Sequence, residues 1–381
     1  MKVHLTTLGC PKNQVDSELM LGMLARAGHD ITEEAAAAEC LVVNTCAFID
    51  RAREESVDTI LELARLKERG RARALIVTGC LSQRYGRELL TEMPEVDGIL
   101  GTSELHRIVD LVDQAEGRQD WVGSAPPGYL YDATTPRLIS SRLPYAYVKI
   151  AEGCDMGCAF CAIPQFRGRH RSRPLKDIVA EVEGLVRRGI QEAILVSQDT
   201  LAYGRDLPGN GDIGDLLLAL SETAMPWIRP MYLHPAHVND RLVAKWARAR
   251  AVPYLDMPVQ HGDDGVLRRM RRAVTARRMK EVIAQFRDAV PGLTVRTTVL
   301  VGFQEAQDRL AWPRLKALFG TRQTVLVDGP GPDPAFPFEG RLAGQAPEID
   351  GVVLLRDTAL RSGRFADVSI VEVDGYELVG K

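Results

Sequence analysis

The most informative part of the sequence is residues 145–161, which read Tyr145-Ala-Tyr-Val-Lys-Ile-Ala-Glu-Gly-Cys-Asp-Met-Gly-Cys-Ala-Phe-Cys161. An apolar, strand-like run ends at Ile150, and cysteines follow it at positions 154, 158 and 161. This C-x3-C-x2-C triplet supplies three thiolates, which is one fewer than the irons of a [4Fe-4S] cluster. One iron is then left without a protein ligand, and such an iron can bind a small molecule and pass it an electron.

This arrangement is the one needed to cleave S-adenosylmethionine reductively and to generate a carbon radical. The alternative is a zinc site, which needs a fourth cysteine or histidine at short spacing to complete a tetrahedron. The nearest downstream histidine, His170, lies nine residues beyond Cys161 in an arginine-rich stretch. The spacing therefore favours a [4Fe-4S] cluster on Cys154, Cys158 and Cys161, with S-adenosylmethionine as the molecule that it binds.

Three of the four remaining cysteines share a pattern, since Cys10, Cys46 and Cys80 each follow a short apolar run. Such runs are typical of buried parallel strands in an open α/β sheet, whose ligand sites lie at the carboxyl ends of the strands. We therefore expect these three thiols to converge and to hold a second [4Fe-4S] cluster. The alternatives for them are simple burial or a disulfide. Cys40 lies at the amino end of its strand, where a small buried thiol is expected.

Composition is that of an ordinary globular protein, with 45% hydrophobic and 26% charged residues in 381 positions. This length exceeds the usual limit of a single core, so two or three domains are expected. The net charge of −3 gives no general case for nucleic-acid binding. No apolar run approaches the roughly 20 residues of a membrane helix, and the chain opens without an apolar signal segment. We expect a cytoplasmic enzyme with free thiols.

The order of predicted strands and helices indicates an α/β protein. Residues 1–122 alternate strand and helix and predict a parallel sheet domain. Residues 123–144, rich in proline, glycine and serine, predict a linker. Residues 145–319 alternate again and predict a partial (βα) TIM-like barrel. Residues 320–381 carry short strands with turn residues between them and predict a small β-barrel.

Five strands are predicted in the second block, and polar residues follow several of them. The strands are residues 146–150, 193–197, 228–233, 254–259 and 295–301. Ser197-Gln-Asp-Thr200, His234 and Gln260-His261 follow the second, third and fourth strands. Active residues of such a barrel lie at the carboxyl ends of its strands, so these residues are candidates for lining the cavity. Each one alone is better interpreted as a structural polar group, and the set is better evidence than its members.

The last block is acidic. Residues 321–381 contain six Lys plus Arg and ten Asp plus Glu, which gives a formal charge of −4. Small β-barrels often bind RNA, but phosphate attraction requires the opposite sign of charge. A basic protein is the better partner for this surface.

Nearly the whole chain resembles the methylthiotransferases of the radical-SAM superfamily. The amino-terminal match rests on these motifs: Gly9-Cys-Pro-Lys-Asn13, Asp16-Ser-Glu18, Asn44-Thr-Cys-Ala-Phe-Ile49, Gly79-Cys80, Arg84-Tyr85 and Pro94-Glu-Val-Asp97. The triplet from Cys154 matches the radical-SAM motif, and the last block is similar to the TRAM β-barrel. A further set of motifs resembles the RimO branch: Ile163-Pro-Gln-Phe-Arg-Gly168, Arg171-Ser-Arg173, Ser197-Gln-Asp-Thr200 and Ala346-Pro-Glu-Ile-Asp-Gly351.

The resemblance implies an enzyme that adds a methylthio group to the β-carbon of an aspartate in small-subunit ribosomal protein S-twelve. It implies two [4Fe-4S] clusters, on Cys10, Cys46 and Cys80 and on the later triplet, with S-adenosylmethionine as radical source and methyl donor. It assigns no catalytic residue beyond the cluster ligands. A monomer is expected, with a reductant such as flavodoxin or ferredoxin and no membrane partner.

One departure from the family follows Phe303. The chain passes there directly to residues 304–319, which in the family come after a further helix and a sixth strand. A βα unit is about 30 residues long, so the sequence predicts an internal deletion of at least one unit. A damaged coding sequence or a natural deletion would each produce it. The truncated barrel makes a catalytically impaired iron-sulfur protein an alternative to a working enzyme.

A second alternative concerns the substrate, which could be an adenosine of tRNA. It is supported by two arginine runs, Arg167-Gly-Arg-His-Arg-Ser-Arg173 and Arg268-Arg-Met-Arg-Arg272, since guanidinium groups can hold phosphates. Solvated loop and helix faces are the simpler interpretation of both runs.

Overall fold

The computed structural model describes residues 1–114, 122–123, 127–209, 211–300, 312–347, 350–375 and 377–381. The predicted deletion point after Phe303 lies outside these residues, as does the first half of the 304–319 stretch. The chain divides into two compact units. The first consists of Met1–Ser140, Tyr147–Ile178 and Val196–Asp199, and the second of Ser141–Ala146, Val179–Leu195 and Thr200–Lys381.

The first unit contains the predicted parallel sheet, which has six strands. In spatial order they are Asp30–Ile31, Lys2–Thr7, Cys40–Thr45, Ala74–Gly79, Gly98–Gly101 and Val122–Gly123. Every neighbouring pair runs parallel. All residues of the two central strands are buried, as expected for parallel strands that are covered on both faces.

Helices cover this sheet: Pro11–Arg26, Asp50–Arg69, Cys80–Tyr85, Arg87–Glu92, Ile108–Asp113 and Ile163–Arg167, with 3-10 turns at Ala35–Ala37 and Leu105–Arg107. The Asp50–Arg69 helix packs Ile60 and Leu63 against Leu41 and Leu75 of the central strands. The parallel register pairs Thr7 with Asn44 and Thr45 with Gly79. These strands therefore end at the same edge of the sheet.

The cysteine triplet follows the Tyr145–Lys149 strand, and the antiparallel pair Ala151–Glu152 with Arg171–Ser172 flanks it. Further strands of the βα block are Glu192–Val196, Trp227–Pro230, Tyr254–Asp256 and Thr294–Arg296. The first two of these pair in parallel, as do the last two, and a parallel bridge joins Ile228 to Ala251 between the pairs. Parallel pairing supports the predicted (βα) architecture.

The helices of the βα block are Leu175–Arg187, Ile213–Ser221, Asp240–Arg248, Asp264–Arg269 and Ala276–Ala289, with 3-10 turns at Thr200–Ala202 and Pro235–His237. Four of them begin where an Asp, Asn or Thr side chain caps the helix, at Asp212, Asn239, Asp263 and Thr275. Such caps satisfy free backbone N–H groups and fix the first turn. In the part of the chain that the structure describes, no helix is long and apolar enough to cross a membrane.

Several predicted strands are shorter than expected. The strand predicted to reach Leu233 ends at Pro230, because proline has no N–H to donate and Tyr232 then adopts a positive φ of 63°. The last strand, predicted to reach Val301, ends at Arg296, beyond which a single bridge joins Gln260 to Val299.

The carboxyl-terminal block is a closed β-barrel, as predicted. Its strands follow one another around the barrel in the order Arg322–Asp333, Phe336–Leu342, Val353–Leu355, Glu377–Gly380 and Phe365–Asp374. Val325, Val327, Leu355 and Ile370 are buried in its core. The sequence predicts strands at residues 323–327, 351–355 and 365–373, which correspond to three of these five, but it does not predict Phe336–Leu342 or Glu377–Gly380. The first contains proline and glycine, and the second has only four residues, so neither carries a clear alternation of apolar and polar positions.

Candidate functional site

Cys10, Cys46 and Cys80 lie at one edge of the six-stranded sheet. Cys10 is the N-cap of the Pro11–Arg26 helix, Cys46 follows the Cys40–Thr45 strand directly, and Cys80 opens the Cys80–Tyr85 helix. Helix amino termini carry a partial positive charge that favours a thiolate. The expected convergence of these strand ends is therefore present in the fold, whereas Cys40 is buried at the opposite end of its strand.

Two glycines let the cysteine loops approach one another. Gly9 has a φ of +92°, and a Cβ placed there would lie 2.8 Å from Cys46 Cβ. Gly79 has a φ of +97°, and its Cβ would lie 2.3 Å from Asn44 Oδ1 and 2.6 Å from Thr45 O. Both the backbone conformation and the lack of space require glycine.

The buried side chain of Asn13 joins all three loops. Its Nδ2 donates to Leu8 O at 3.0 Å and to Thr45 O at 2.9 Å, next to Cys10 and Cys46 respectively. Its Oδ1 lies 3.7 Å from Cys80 Sγ, which donates to it. The sequence offered Asn13 only as part of a motif and gave no sign of this role, because the contacts are made between distant parts of the chain.

Burial dominates the electrostatics of this trio. It raises the pKa of Cys80 to about 12, although the nearby Arg167 acts in the opposite direction. Burial also raises the pKa of Cys46, and the neighbouring Cys10 adds to the shift. The thiols are therefore close enough to interact.

A buried set of four charges lies beside the trio in the first unit. Arg167 donates to Asp16 at 2.7 Å and to Glu152 at 3.2 Å, and Lys149 donates to both carboxylates, reaching Glu152 at 2.6 Å. Burial opposes ionisation of Glu152, but the charges of Lys149 and Arg167 outweigh it and lower its pKa to about 2. Two cations and two anions balance, so no charge of the set is buried without a partner.

The triplet Cys154, Cys158 and Cys161 lies on a half-buried loop. Cys154 N–H donates to Gly168 O at 3.0 Å, and Cys161 N–H donates to Cys158 O at 3.1 Å, which makes a tight turn between the last two cysteines. Burial raises the pKa of Cys154 to about 12, with additional contributions from Asp199, Cys161 and Cys158. The three thiols therefore also lie near one another.

The donor chemistry of the two trios is that of iron-sulfur clusters. All seven cysteines are free thiols, and thiolates are the ligands that such clusters use. Among the described residues, no group of three His, Cys, Asp or Glu side chains is placed to hold one metal ion.

The other candidate residues serve local contacts. Gln198, which is half-buried, donates to Glu152 Oε1 at 2.6 Å. In the second unit, Thr200 Oγ1 donates to Met231 O, while His234 Nδ1 and His261 Nδ1 accept backbone N–H groups of Ala236 and Asp263. Ser197 and Asp199 are buried, and Gln260 has a positive φ of 69°.

The first arginine run has buried ends, whereas Arg169 within it is exposed. Arg167 and Arg173 are 3% and 1% exposed and are paired with carboxylates inside the first unit. In the second run, Arg272 is buried and donates to Pro258 O at 2.6 Å. The rest of that run is exposed at residues 268, 269 and 271.

Comparison with known proteins first defines the class. The model of the radical SAM superfamily matches residues 148–311, that of the TRAM domain matches residues 319–381, and that of the uncharacterized protein family UPF0004 matches residues 2–101. The fold is similar to that of the radical S-adenosylmethionine methyltransferase TsrM from Kitasatospora setae. That match has a TM-score of 0.53 and 15% identity, over 79% of this chain and 69% of that one. The chain is a radical-SAM protein with a TRAM domain.

Closer relatives define the family. The chain is 41% identical to the ribosomal protein uS12 methylthiotransferase RimO of Myxococcus xanthus, over the whole of this chain and 91% of that one. It is 47% identical to the protein of the same name from Desulforamulus reducens, over 79% of this chain and 68% of that one. The chain belongs to the RimO methylthiotransferase family. The Myxococcus xanthus alignment runs over 435 positions, 54 more than the 381 residues here, so the relative has residues within the alignment that this chain lacks.

Proposed function

We propose that this protein adds a methylthio group to the β-carbon of an aspartate in ribosomal protein S-twelve, with S-adenosylmethionine as radical source and methyl donor. The observation that carries the proposal is the pair of all-thiol cysteine trios in the first unit, one at the sheet edge and one on the loop after Lys149. The substrate is supported by the names of relatives that are 36% to 47% identical.

Each trio would hold one [4Fe-4S] cluster: Cys154, Cys158 and Cys161 the first, and Cys10, Cys46 and Cys80 the second. When bound, the clusters supply one-electron reduction of S-adenosylmethionine and an open iron for sulfur. An aspartate β-carbon is an unactivated C–H position that a side chain cannot deprotonate at neutral pH, so radical chemistry suits this substrate.

The protein's own residues hold the site in place and exclude water from it. Asn13 fixes the Cys10 and Cys46 loops, and Ser56 fixes Cys46 by accepting its N–H at 3.1 Å and donating to its carbonyl at 3.0 Å. Glu152 is held ionised by Lys149 and Arg167, so its two oxygens accept hydrogen bonds at neutral pH. Fixed polar groups of this kind require little reorganisation during a reaction.

The remaining parts of the proposal concern partners. The β-barrel domain, with its formal charge of −4, would attract a basic ribosomal protein. We infer a cytoplasmic monomer that receives electrons from a flavodoxin or ferredoxin, since one-electron reduction needs an external donor.

Anaerobic reconstitution tests the proposal. Iron and sulfide should each reach about eight per chain, from two [4Fe-4S] clusters. Replacing Cys10, Cys46 and Cys80 together by alanine should halve this content and preserve formation of 5′-deoxyadenosine from S-adenosylmethionine. The same replacement of Cys154, Cys158 and Cys161 should halve the iron and abolish 5′-deoxyadenosine. Full iron retention in either triple variant would refute the ligand assignment.

An adenosine of tRNA is the second candidate substrate, favoured by the exposed Arg268, Arg269 and Arg271. Replacing these three by glutamine separates the candidates. Weaker tRNA binding with unchanged binding of S-twelve would show that the three arginines bind tRNA. Mass spectrometry of both substrates after reaction would then identify the one that gains a methylthio group.

A further inference from the structure

Arg167 is the arginine of the buried charge set, and the two terminal nitrogens of its guanidinium group contact different residues. Its Nη1 end donates to Asp16 at 2.7 Å and to Glu152 at 3.2 Å. Its Nη2 end donates to Asn13 Oδ1 at 2.5 Å and to Cys80 Sγ at 3.3 Å. The Asp16 and Glu152 carboxylates thus bind the Nη1 end of the guanidinium group. The Nη2 end contacts the Cys80 sulfur and the Asn13 side-chain amide.

The neighbouring charges bear on the contact between Arg167 and Cys80. Lys149 also donates to Asp16 and Glu152, so the two carboxylates have a cation besides Arg167. The four charges sum to zero, and each is buried within the first unit. The Nη2 end of Arg167 lies 3.3 Å from Cys80 Sγ, so a guanidinium N–H and its positive charge are placed at the sulfur of a proposed ligand.

We propose that Arg167 is a positioning residue of the Cys10, Cys46 and Cys80 site: it holds the Cys80 sulfur by a hydrogen bond and sets the reduction potential of the group that the trio holds. The inference rests on the proposed ligand assignment. Hydrogen bonds to ligand sulfur and nearby charge are the main means by which a protein tunes an iron-sulfur centre. Arginine suits the task because its guanidinium stays charged even when it is buried.

The test uses a parent chain in which Cys154, Cys158 and Cys161 are replaced by alanine, so that the sheet-edge trio alone binds iron. After anaerobic reconstitution, iron content and midpoint potential are measured by chemical analysis and by redox titration with EPR. The parent should hold about four irons. An iron-free parent would overturn the ligand assignment and, with it, the role of Arg167.

Two variants of the parent address Arg167 itself. The double variant Arg167→Gln with Glu152→Gln removes one cation and one anion, so the remaining Asp16 and Lys149 stay balanced and the fold is not left with a buried single charge. It should show a midpoint potential shifted to more negative values, or a loss of iron. Arg167→Lys keeps the charge and should stay near the parent in both measurements.

A matched control is available at Arg173, which is also buried in the first unit and pairs with Asp177 at 2.6 Å. The variant Arg173→Gln with Asp177→Asn should retain the iron content and potential of the parent. The inference is overturned if the Arg167 double variant keeps the parent's potential and iron. It is equally overturned if the Arg173 control loses the same amount of iron, since the effect would then be general destabilisation.

Discussion

Gly79 and Gly28 share a backbone conformation but differ in their surroundings. Their φ angles are +97° and +90°, yet a Cβ at Gly79 would meet Asn44 and Thr45 at 2.3 Å and 2.6 Å, whereas Gly28 has open space within 4 Å. Alanine at Gly28 bears only the cost of a left-handed φ, about 1–2 kcal/mol. Alanine at Gly79 must in addition displace the loop that carries Cys46, which costs a further 1–3 kcal/mol or so.

We therefore expect Gly79→Ala to lower the midpoint of thermal unfolding more than Gly28→Ala does, and to reduce the iron content after reconstitution. Gly28→Ala should bind iron like the unmodified chain. Equal iron content in the two variants would mean that the close approach at Gly79 is not needed for the site.

At the residue scale, the sequence predicted which cysteines share an edge of the sheet but not what holds them there. The apolar runs before Cys10, Cys46 and Cys80 were enough for the first part, because parallel strands end together. The contacts of Arg167 with Asp16 and Asn13 join residues 151 and 154 positions apart. No local pattern encodes such a pair, and an arginine run in a loop is by itself typical of solvated charge.

At the scale of elements, long periodic or uniformly apolar segments were predictable and short or irregular ones were not. The sequence predicts helices from Leu175, Ile213 and Ala276, and the helices begin at these residues, with Asp212 and Thr275 capping the last two. The strand ending at Pro230 was overestimated, since the apolar residues after it are buried in a loop rather than in a ladder. Burial alone does not distinguish a residue in a strand from a residue in a buried loop.

A buried ionic group joins three elements of the second unit. Glu192 begins one strand, accepts from Arg229 of the next strand at 2.5 Å, and accepts from Arg341 of the β-barrel at 2.8 Å. Arg341 also pairs with Asp328 at 2.6 Å. Burial opposes ionisation of Glu192, but the charges of Arg229 and Arg341 outweigh it and hold its pKa below the usual value of 4.5.

The direction of this shift predicts a pH dependence. A lowered pKa in the folded state contributes stability above pH 4.5, and the contribution is lost as pH falls through the folded-state value. The contribution of Asp328 to stability depends on pH in the opposite sense, because burial raises its pKa despite the pairing with Arg341. Comparing Glu192→Gln with the unmodified chain isolates the contribution of Glu192.

We expect Glu192→Gln to lower the free energy of unfolding at pH 7 by about 3–5 kcal/mol, since it leaves two buried guanidinium groups short of an anion. The difference should narrow below pH 4.5, as measured by thermal unfolding across a pH series. Glu372→Gln is the control, because Glu372 forms a solvent-exposed pair with Arg356 and should cost at most about 1 kcal/mol. A difference that is independent of pH would contradict the assigned shift.

At the scale of the whole molecule, the distribution of charge predicts how the partner binds. Four exposed acids of the β-barrel domain can be neutralised with little change in shape: Asp333→Asn, Asp357→Asn, Asp374→Asn and Glu377→Gln. Asp333 and Asp357 accept backbone N–H groups of Ala335 and Ala359, which asparagine can also accept. The change raises the formal charge of the domain from −4 to zero.

Binding to S-twelve should weaken in this quadruple variant and should depend less on salt, because screened charge contacts have been removed. Titrations at two salt concentrations measure both effects. Binding that is unchanged by the variant, together with tight binding of tRNA, would favour the tRNA substrate instead.

The interruption predicted after Phe303 is the largest departure expected from the family. All six candidate cysteine ligands lie in the first unit, which ends its last segment at Asp199, before the predicted deletion point in the sequence. The β-barrel has its own apolar core, formed by residues such as Val325 and Ile370. Separate cores can fold independently, so cluster binding and folding of the barrel should survive the deletion.

Restoring the segment after Phe303 from the Myxococcus xanthus relative should therefore change turnover more than iron content. In the present chain, Val299 and Leu300 are 37% and 38% exposed. A sixth strand would cover them and exclude water from the space beside them, which radical chemistry requires because water and solvent protons intercept reactive intermediates. We expect the restored chain to form more methylthiolated S-twelve per cluster and less uncoupled 5′-deoxyadenosine, with equal iron. Equal product per cluster in the two chains would show that the segment is dispensable.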